Sequence, residues 1–274
     1  MLKAVIKRIR QSLQLADGFT LWDVIASVRT KPTPIDSFQV DNDAPSSGLS
    51  DLAQLAMQQT GEPFLKWWHY FDIYSLELGG IAERSRNGTL PRPLHLLEIG
   101  VWRGGSMGLW REYFGTSALI YGVDIDQRSR EFCDNDAEIR IGSQTDSLFM
   151  NGVVDEMAYV DIIIDDGSHN CLDVVSTLEM LWPRLADDGV YIIEDLHTSY
   201  WPAWGGGLRR RGSSVEALKR LIDEMHRSYF GRDTRVGPLS IPRSELFSVS
   251  FYDSVAVLRK KPVPRPKPFR GGKA

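Results

Sequence analysis

The chain has 274 residues, 42% hydrophobic and 25% charged, a soluble globular balance that excludes a fibrous or wholly disordered protein. Basic and acidic side chains number 32 and 36, so the net charge of −4 does not favour nucleic acid, and two cysteines (Cys133 and Cys171) exclude a disulfide framework or a multi-cysteine zinc site and point to the reducing cytoplasm. No apolar run approaches the ~20 residues that span a bilayer, and the first residues lack the continuous apolar core of a secretory signal.

Leu2, Val5, Ile6, Ile9 and Leu13 recur at helical spacing, with Lys3, Lys7, Arg8 and Arg10 between them. This pattern predicts a basic amphipathic helix, docked on its own domain or on a second subunit, with a peripheral membrane or partner contact as the other reading. Residues 31–50 are rich in turn formers and read as a linker, so residues 1–60 form an N-terminal helical extension. Residues 64–83 (FLKWWHYFDIYSLELGGIAE) read as an aromatic-rich helix, and after NGTLPRP the rhythm changes at Leu94. Strands are expected in LHLLEIG, ALIYGVDI, EIRIGS, VDIIIDDGSH and GVYIIEDL, with helices in GSMGLWREYF, QRSREFCDN, LDVVSTLEMLWPRL and VEALKRLIDEMHRSYF. The strands are continuously apolar, as parallel strands buried on both faces are, and their alternation with helices predicts a doubly wound, mostly parallel α/β sheet. ELFSVSFYDSVAVLRKK reads as a hairpin whose last strand is antiparallel to its neighbour. The sheet domain is expected over 61–258, followed by a disordered basic, proline-rich tail over 259–274.

Glu98-Ile99-Gly100-Val101-Trp102-Arg103-Gly104-Gly105 stands where the first strand turns into a helix, a place where glycine lets backbone approach a ligand. Asp124 ends the next strand, 24 residues after Gly100, where a carboxylate can accept ribose hydroxyls. The dinucleotide fingerprint G-x-G-x-x-G is not met, because Trp102 takes the second glycine's place and obstructs a pyrophosphate. Glu98 would repel a diphosphate but not a ligand with ammonium and sulfonium centres, so S-adenosylmethionine fits better than NAD.

Two strands end in acid pairs, Asp165-Asp166 and Glu194-Asp195. On adjacent parallel strands their ends lie side by side, at the edge where open α/β sheets bind ligands. Clustered carboxylates repel one another, and a hard divalent cation resolves the conflict: Mg²⁺ first, with Mn²⁺ or Ca²⁺ as alternatives. His169, in the D-G-S-H turn, is placed to remove a proton from an alcohol. His197 follows the second acid pair. Tyr200, Trp201 and Trp204 lie on a glycine-hinged loop suited to cover an acceptor.

LLEIGVWRGGS, YGVDID, IIIDDGSH and IIEDLHTSYWP together resemble the class I S-adenosylmethionine-dependent methyltransferases, and more narrowly the metal-dependent sugar O-methyltransferases of the mycinamicin 2''-O-methyltransferase type. The resemblance covers roughly residues 64–258 and implies a seven-stranded Rossmann-like sheet with an antiparallel last strand. It implies that Glu98, Gly100, Gly104 and Asp165 stand on the cofactor side, that Asp124 binds the ribose, and that Ser143 and Gln144 lie near the adenine. It implies Asp166, Glu194 and Asp195 as Mg²⁺ ligands and His169 as general base. LKWWHYFDIY resembles a segment ahead of the core in such proteins, which adds Lys66, His69, Tyr70 and Tyr74 to the site's border. Tyr70, Tyr74, His197, Tyr200, Trp201 and Trp204 are the candidate acceptor contacts. The expected reaction is Mg-dependent methylation of a sugar hydroxyl on a glycosylated small molecule by a cytoplasmic homo-oligomer. The alternatives are a catechol or phenolic acceptor, or a hydroxylase-like or non-catalytic relative.

Overall fold

The computed structural model describes residues 48–132, 137–230 and 239–272; the helix expected over 2–13, most of the linker and Cys133 lie outside the described residues. Helix α1 spans Asp51–Gln58, and Ser50 caps it by accepting the Ala53 N–H at 3.4 Å. Helix α2 spans Trp68–Arg86 and leaves residues 64–67 outside any helix or strand ahead of it. The α/β core follows as β1 (His95–Ile99), α3 (Gly105–Phe114), β2 (Leu119–Asp124), α4 (Ser129–Phe132), β3 (Glu138–Ile141), α5 (Ser147–Met157), β4 (Val160–Asp165), α6 (Cys171–Leu181) and β5 (Leu185–Ile193). Short helices α7 (Ser214–Lys219) and α8 (Leu221–Met225) and the strands β6 (Leu246–Tyr252) and β7 (Val255–Lys260) complete it.

The seven strands form one sheet in the order β3-β2-β1-β4-β5-β7-β6. β1 to β5 run parallel, and β7 is antiparallel to both of its neighbours, as expected. Side chains alternate across a strand. Leu96, Ile162, Ile164, Val190 and Ile192 therefore bury against Leu78 of α2 and Trp110 of α3. Their neighbours Leu97, Ile163, Tyr191 and Ile193 bury against Met150 of α5 and Leu178 of α6.

Three elements differ from expectation. α5 is not among the expected helices; it forms because the Asp146 carboxylate accepts the Leu148 and Phe149 N–H groups at 3.0 and 3.1 Å and Met150, Val153, Val154 and Met157 are buried. The single helix expected after Ser214 is broken into α7, α8 and one 3₁₀ turn at Arg227–Tyr229. The basic tail begins later than residue 259, because Arg259 and Lys260 belong to β7: Arg259 pairs with Glu77 at 2.5 Å, and Lys260, 7% exposed, donates to the carbonyl of Leu185 at 2.9 Å. The chain beyond is tied back as far as Pro264: the Val263 N–H donates to Ser244 O at 2.7 Å, and the Pro264 carbonyl accepts Arg243 Nη2 at 3.1 Å.

Candidate active site

The register of the sheet brings the motif residues together. Ile99 pairs with Asp165 and Asp165 with Ile193, so the ends of β1, β4 and β5 are level. The Asp166 N–H donates to Ile99 O at 2.9 Å and the Glu194 N–H to Asp165 O at 3.0 Å, which extends the ladder by one residue on each strand. Alternation then sorts the acids. Glu98, Asp166 and Glu194 share parity with Leu96, Ile164 and Ile192 and project toward α2 and α3, whereas Asp165 projects to the other face. On that face Asp165 is buried and accepts Gln144 Nε2 and Tyr191 Oη, each at 3.2 Å. Burial pushes its carboxyl up to about 7 against those bonds.

Gly100 has φ +91, and a Cβ there would stand 2.0 Å from the Asp166 carbonyl oxygen. Only glycine allows this close crossing of β1 and β4. The turn it opens is held by Asp124, whose Oδ2 accepts the N–H groups of Val101 and Trp102 at 2.9 and 2.8 Å. Trp102 itself is 56% exposed with φ +49. Beside the turn lies a cavity of about 700 Å³, within the range of about 300–1,000 Å³ usual for small-molecule sites. Gly100, Trp102, Asp124, Ser143 and Gln144 line one part of it; Lys66, Asp166, His169 and Asp195 line another. Gln144 accepts the Ser168 N–H at 2.6 Å and so ties the strand-end turn after β3 to the D-G-S-H turn. Glu98, Gly104 and Asp165 stand behind this wall rather than in it.

The acids form two groups that share Asp166. Asp166, His169 and Asp195 bring ligand atoms within 4.8 Å of one another, and so do Glu98, Asp166 and Glu194. The expected triad of Asp166, Glu194 and Asp195 is thus adjacent but divided. His169 Nε2 lies 3.8 Å from Asp166 Oδ1 and 3.7 Å from Asp195 Oδ2. Burial lowers the imidazole's pKa, opposed by the charge of Asp195.

The second group surrounds a lysine. Lys66 Nζ, its side chain 4% exposed, donates to Glu194 Oε1 at 2.5 Å and Asp166 Oδ2 at 2.6 Å and lies 3.5 Å from Glu98 Oε1. Burial would lower its pKa, but Asp166, Glu194 and Glu98 outweigh that and hold it well above the ordinary value. Burial and the Asp166 charge push Glu194 up to about 8 despite Lys66. Asp166 rises to about 7 through burial and the charges of Asp195 and Glu98, again against Lys66. Glu98 is wholly buried and accepts Trp110 Nε1 at 2.7 Å.

Tyr70 and Tyr74, one turn apart on α2, are buried. Tyr70 donates to Asp195 Oδ1 at 2.7 Å, and Tyr74 donates to Glu194 Oε1. They orient the acids and do not line the cavity. His197 Nδ1 pairs with Ser254 Oγ at 2.6 Å, its ring edge-on to Trp67 and Trp201. His69 bonds the Asp253 carbonyl at 3.0 Å. Tyr200, Trp201 and Trp204 follow β5 outside the cavity wall, with the Trp204 ring centred 6.0 Å from that of His169.

Residues 97–196 match a family described as a methyltransferase domain. The chain is 35% identical over 179 residues to 8-demethyl-8-alpha-L-rhamnosyl tetracenomycin-C 2'-O-methyltransferase of Streptomyces olivaceus, covering 62% of this chain and 46% of that protein. It is 31% identical over 230 residues to the 3'-O-methyltransferase of the same organism that acts on the 2-methoxy-rhamnosyl tetracenomycin, covering 79% and 55%. Among solved structures it resembles MycE, a methyltransferase of the mycinamycin pathway in complex with Mg and SAH, with a TM-score of 0.64, 27% identity and coverage of 81% of this chain and 59% of that one. The chain spans about half the length of these curated relatives. Among the described residues no helix is long and apolar enough to cross a membrane.

Proposed function

We propose that this chain, whose residues 97–196 match a methyltransferase domain and which is similar in sequence to sugar O-methyltransferases, moves a methyl group from S-adenosylmethionine to a sugar hydroxyl of a glycosylated small molecule, in the cytoplasm and with Mg²⁺. The observation that carries this reading is the single cavity wall running from Gly100 and Asp124 to Asp166, His169 and Asp195. It joins a nucleoside-sized site to an acid–histidine cluster.

The acids fit a hard cation on their chemistry. They offer only oxygen donors, and one lysine faces several of them; burial first, and then the charges of neighbouring acids, hold Asp166 and Glu194 up at about 7 and about 8. Asp166, Glu194 and Asp195 would hold the ion, which when bound supplies Lewis-acid polarisation of the acceptor hydroxyl. Gly100 brings bare backbone against the methionine part of the cofactor, Asp124 accepts the ribose hydroxyls, and Ser143 and Gln144 border the adenine. Behind them Glu98, Gly104 and Asp165 fix the wall. His169 Nε2 takes the hydroxyl proton as the oxygen attacks the methyl carbon; the new C–O bond forms as the S–CH₃ bond breaks, and S-adenosylhomocysteine leaves. The aromatic residues Tyr200, Trp201 and Trp204 cover the acceptor beyond His169, and His197, fixed by Ser254, steadies that loop.

The test is methyl transfer to a panel of methyl glycosides, with catechol as the rival acceptor. Activity on the glycosides is expected to vanish with EDTA and return with Mg²⁺, and His169→Ala is expected to lose about 10²- to 10⁴-fold in kcat. Catechol as the preferred acceptor, or full activity in EDTA, rules the reading out.

A further inference from the structure

Lys66 is the residue the mechanism leaves unused. Its ammonium stands where three carboxylates converge, at 2.5 Å from Glu194 Oε1, 2.6 Å from Asp166 Oδ2 and 3.5 Å from Glu98 Oε1. Those acids also bring ligand atoms within 4.8 Å of one another. A lysine taken this far out of water is stabilised only by such partners. Two of the three are residues assigned to the divalent ion above. The geometry is competitive at a specific atom: Glu194 Oε1 receives both Lys66 Nζ and the Tyr74 hydroxyl. Asp166 offers one oxygen to Lys66 and turns the other toward His169. Lys66 lies outside any helix, two residues ahead of α2, so moving its side chain breaks no helical hydrogen bond.

We propose that Lys66 is a tethered counter-ion that neutralises the acid cluster and must be displaced from Glu194 and Asp166 when a divalent cation binds. The charged side chain then sets the affinity for the ion: it keeps the buried Glu98 and Glu194 and the half-buried Asp166 compatible with folding before the ion arrives, and it weakens ion binding. This rests on the metal site of the proposed function. Lys66 is accordingly a positioning residue, with no contact to the transferred methyl group implied.

The experiment is calorimetric titration of Mn²⁺ into the full chain as wild type, Lys66→Met and Lys66→Arg, without cofactor. Removing one positive charge a few ångströms from the ion is expected to tighten Mn²⁺ binding by about tenfold or more in Lys66→Met, and Lys66→Arg is expected to bind no more tightly than wild type. The Met variant is expected to melt at a lower temperature than wild type without Mn²⁺ and to regain that loss when saturated. If wild type binds Mn²⁺ and Lys66→Met binds it equally or more weakly, or if Lys66→Arg tightens as much, the counter-ion role is wrong. A Met variant that stays unfolded in saturating Mn²⁺ also overturns it, because the ion then cannot replace the ammonium. Failure of all three proteins to bind Mn²⁺ instead removes the metal from the proposed function, and this proposal with it.

Discussion

Gly100 is the residue at which the cofactor wall and the acid edge meet. With φ +91 and the Asp166 carbonyl 2.0 Å from the position of a Cβ, it ties the backbone of the first motif to the residue that bridges both acid groups. Gly100→Ala must push the end of β4 away, and the backbone atoms in its path have no flexible end to yield. We expect a loss of about 2 kcal/mol or more in unfolding free energy, from strain at a positive φ together with the clash. S-adenosylhomocysteine binding should fall with it, and denaturant melts and calorimetry on the same sample measure the two. A variant that keeps both properties shows the turn to be freer than its geometry. At this scale the sequence was informative wherever chemistry sits at a strand end. Gly100, Asp124, Asp166 and His169 are expectations of that kind, and all four line one cavity. Lys66 was seen only as a border residue, because its three partners lie 32, 100 and 128 positions away and no local pattern links them. Tyr70 and Tyr74 enter through the resemblance of LKWWHYFDIY as acceptor contacts; what they touch in this structure, Asp195 and Glu194, lies more than a hundred positions away and depends on the position of β5.

Among the elements, α1 shows how a boundary drawn from composition can cut through a core. Residues 31–50 are polar and turn-rich, and that character was extended to residue 60. Yet Leu52 of α1 is 0% exposed and belongs to the cluster of α2, α3 and the first sheet face. Leu52→Ala should therefore cost what a core truncation costs, about 2–5 kcal/mol, and not the few tenths expected of a linker residue. A urea melt decides between them, and a change below about 0.5 kcal/mol would return α1 to the extension. α5, absent from the expected helices, is the opposite case. Its Asn151-Gly152 pair carries a strong turn signal, but Gly152 meets no side chain that a Cβ would touch, and the capping by Asp146 with four buried apolar residues prevails. Continuously apolar strands were the easier elements, because burial on both faces leaves few other readings for such runs.

For the molecule as a whole, the decisive fact is that one sheet edge collects residues from β1, β2, β3, β4 and β5. The order of the strands places β1 and β4 side by side at the centre, so the turn after β1 and the acids after β4 and β5 meet. Among the described residues, those lining the cavity lie between Phe64 and Asp195, and the family match covers 97–196. The relatives, by contrast, are about twice as long as the part they share with this chain. Cofactor binding and acceptor choice should therefore separate. A shortened chain beginning at residue 48 keeps α1 and its Ser50 cap as well as the whole cavity. It is expected to bind S-adenosylhomocysteine as the full chain does, while its KM for a glycoside acceptor is free to change. Calorimetry on both chains measures the first quantity and steady-state kinetics the second. If the shortened chain folds, as judged by its melting curve, yet loses S-adenosylhomocysteine affinity, then residues 1–47 take part in the cofactor site, and the sheet edge is not sufficient for it.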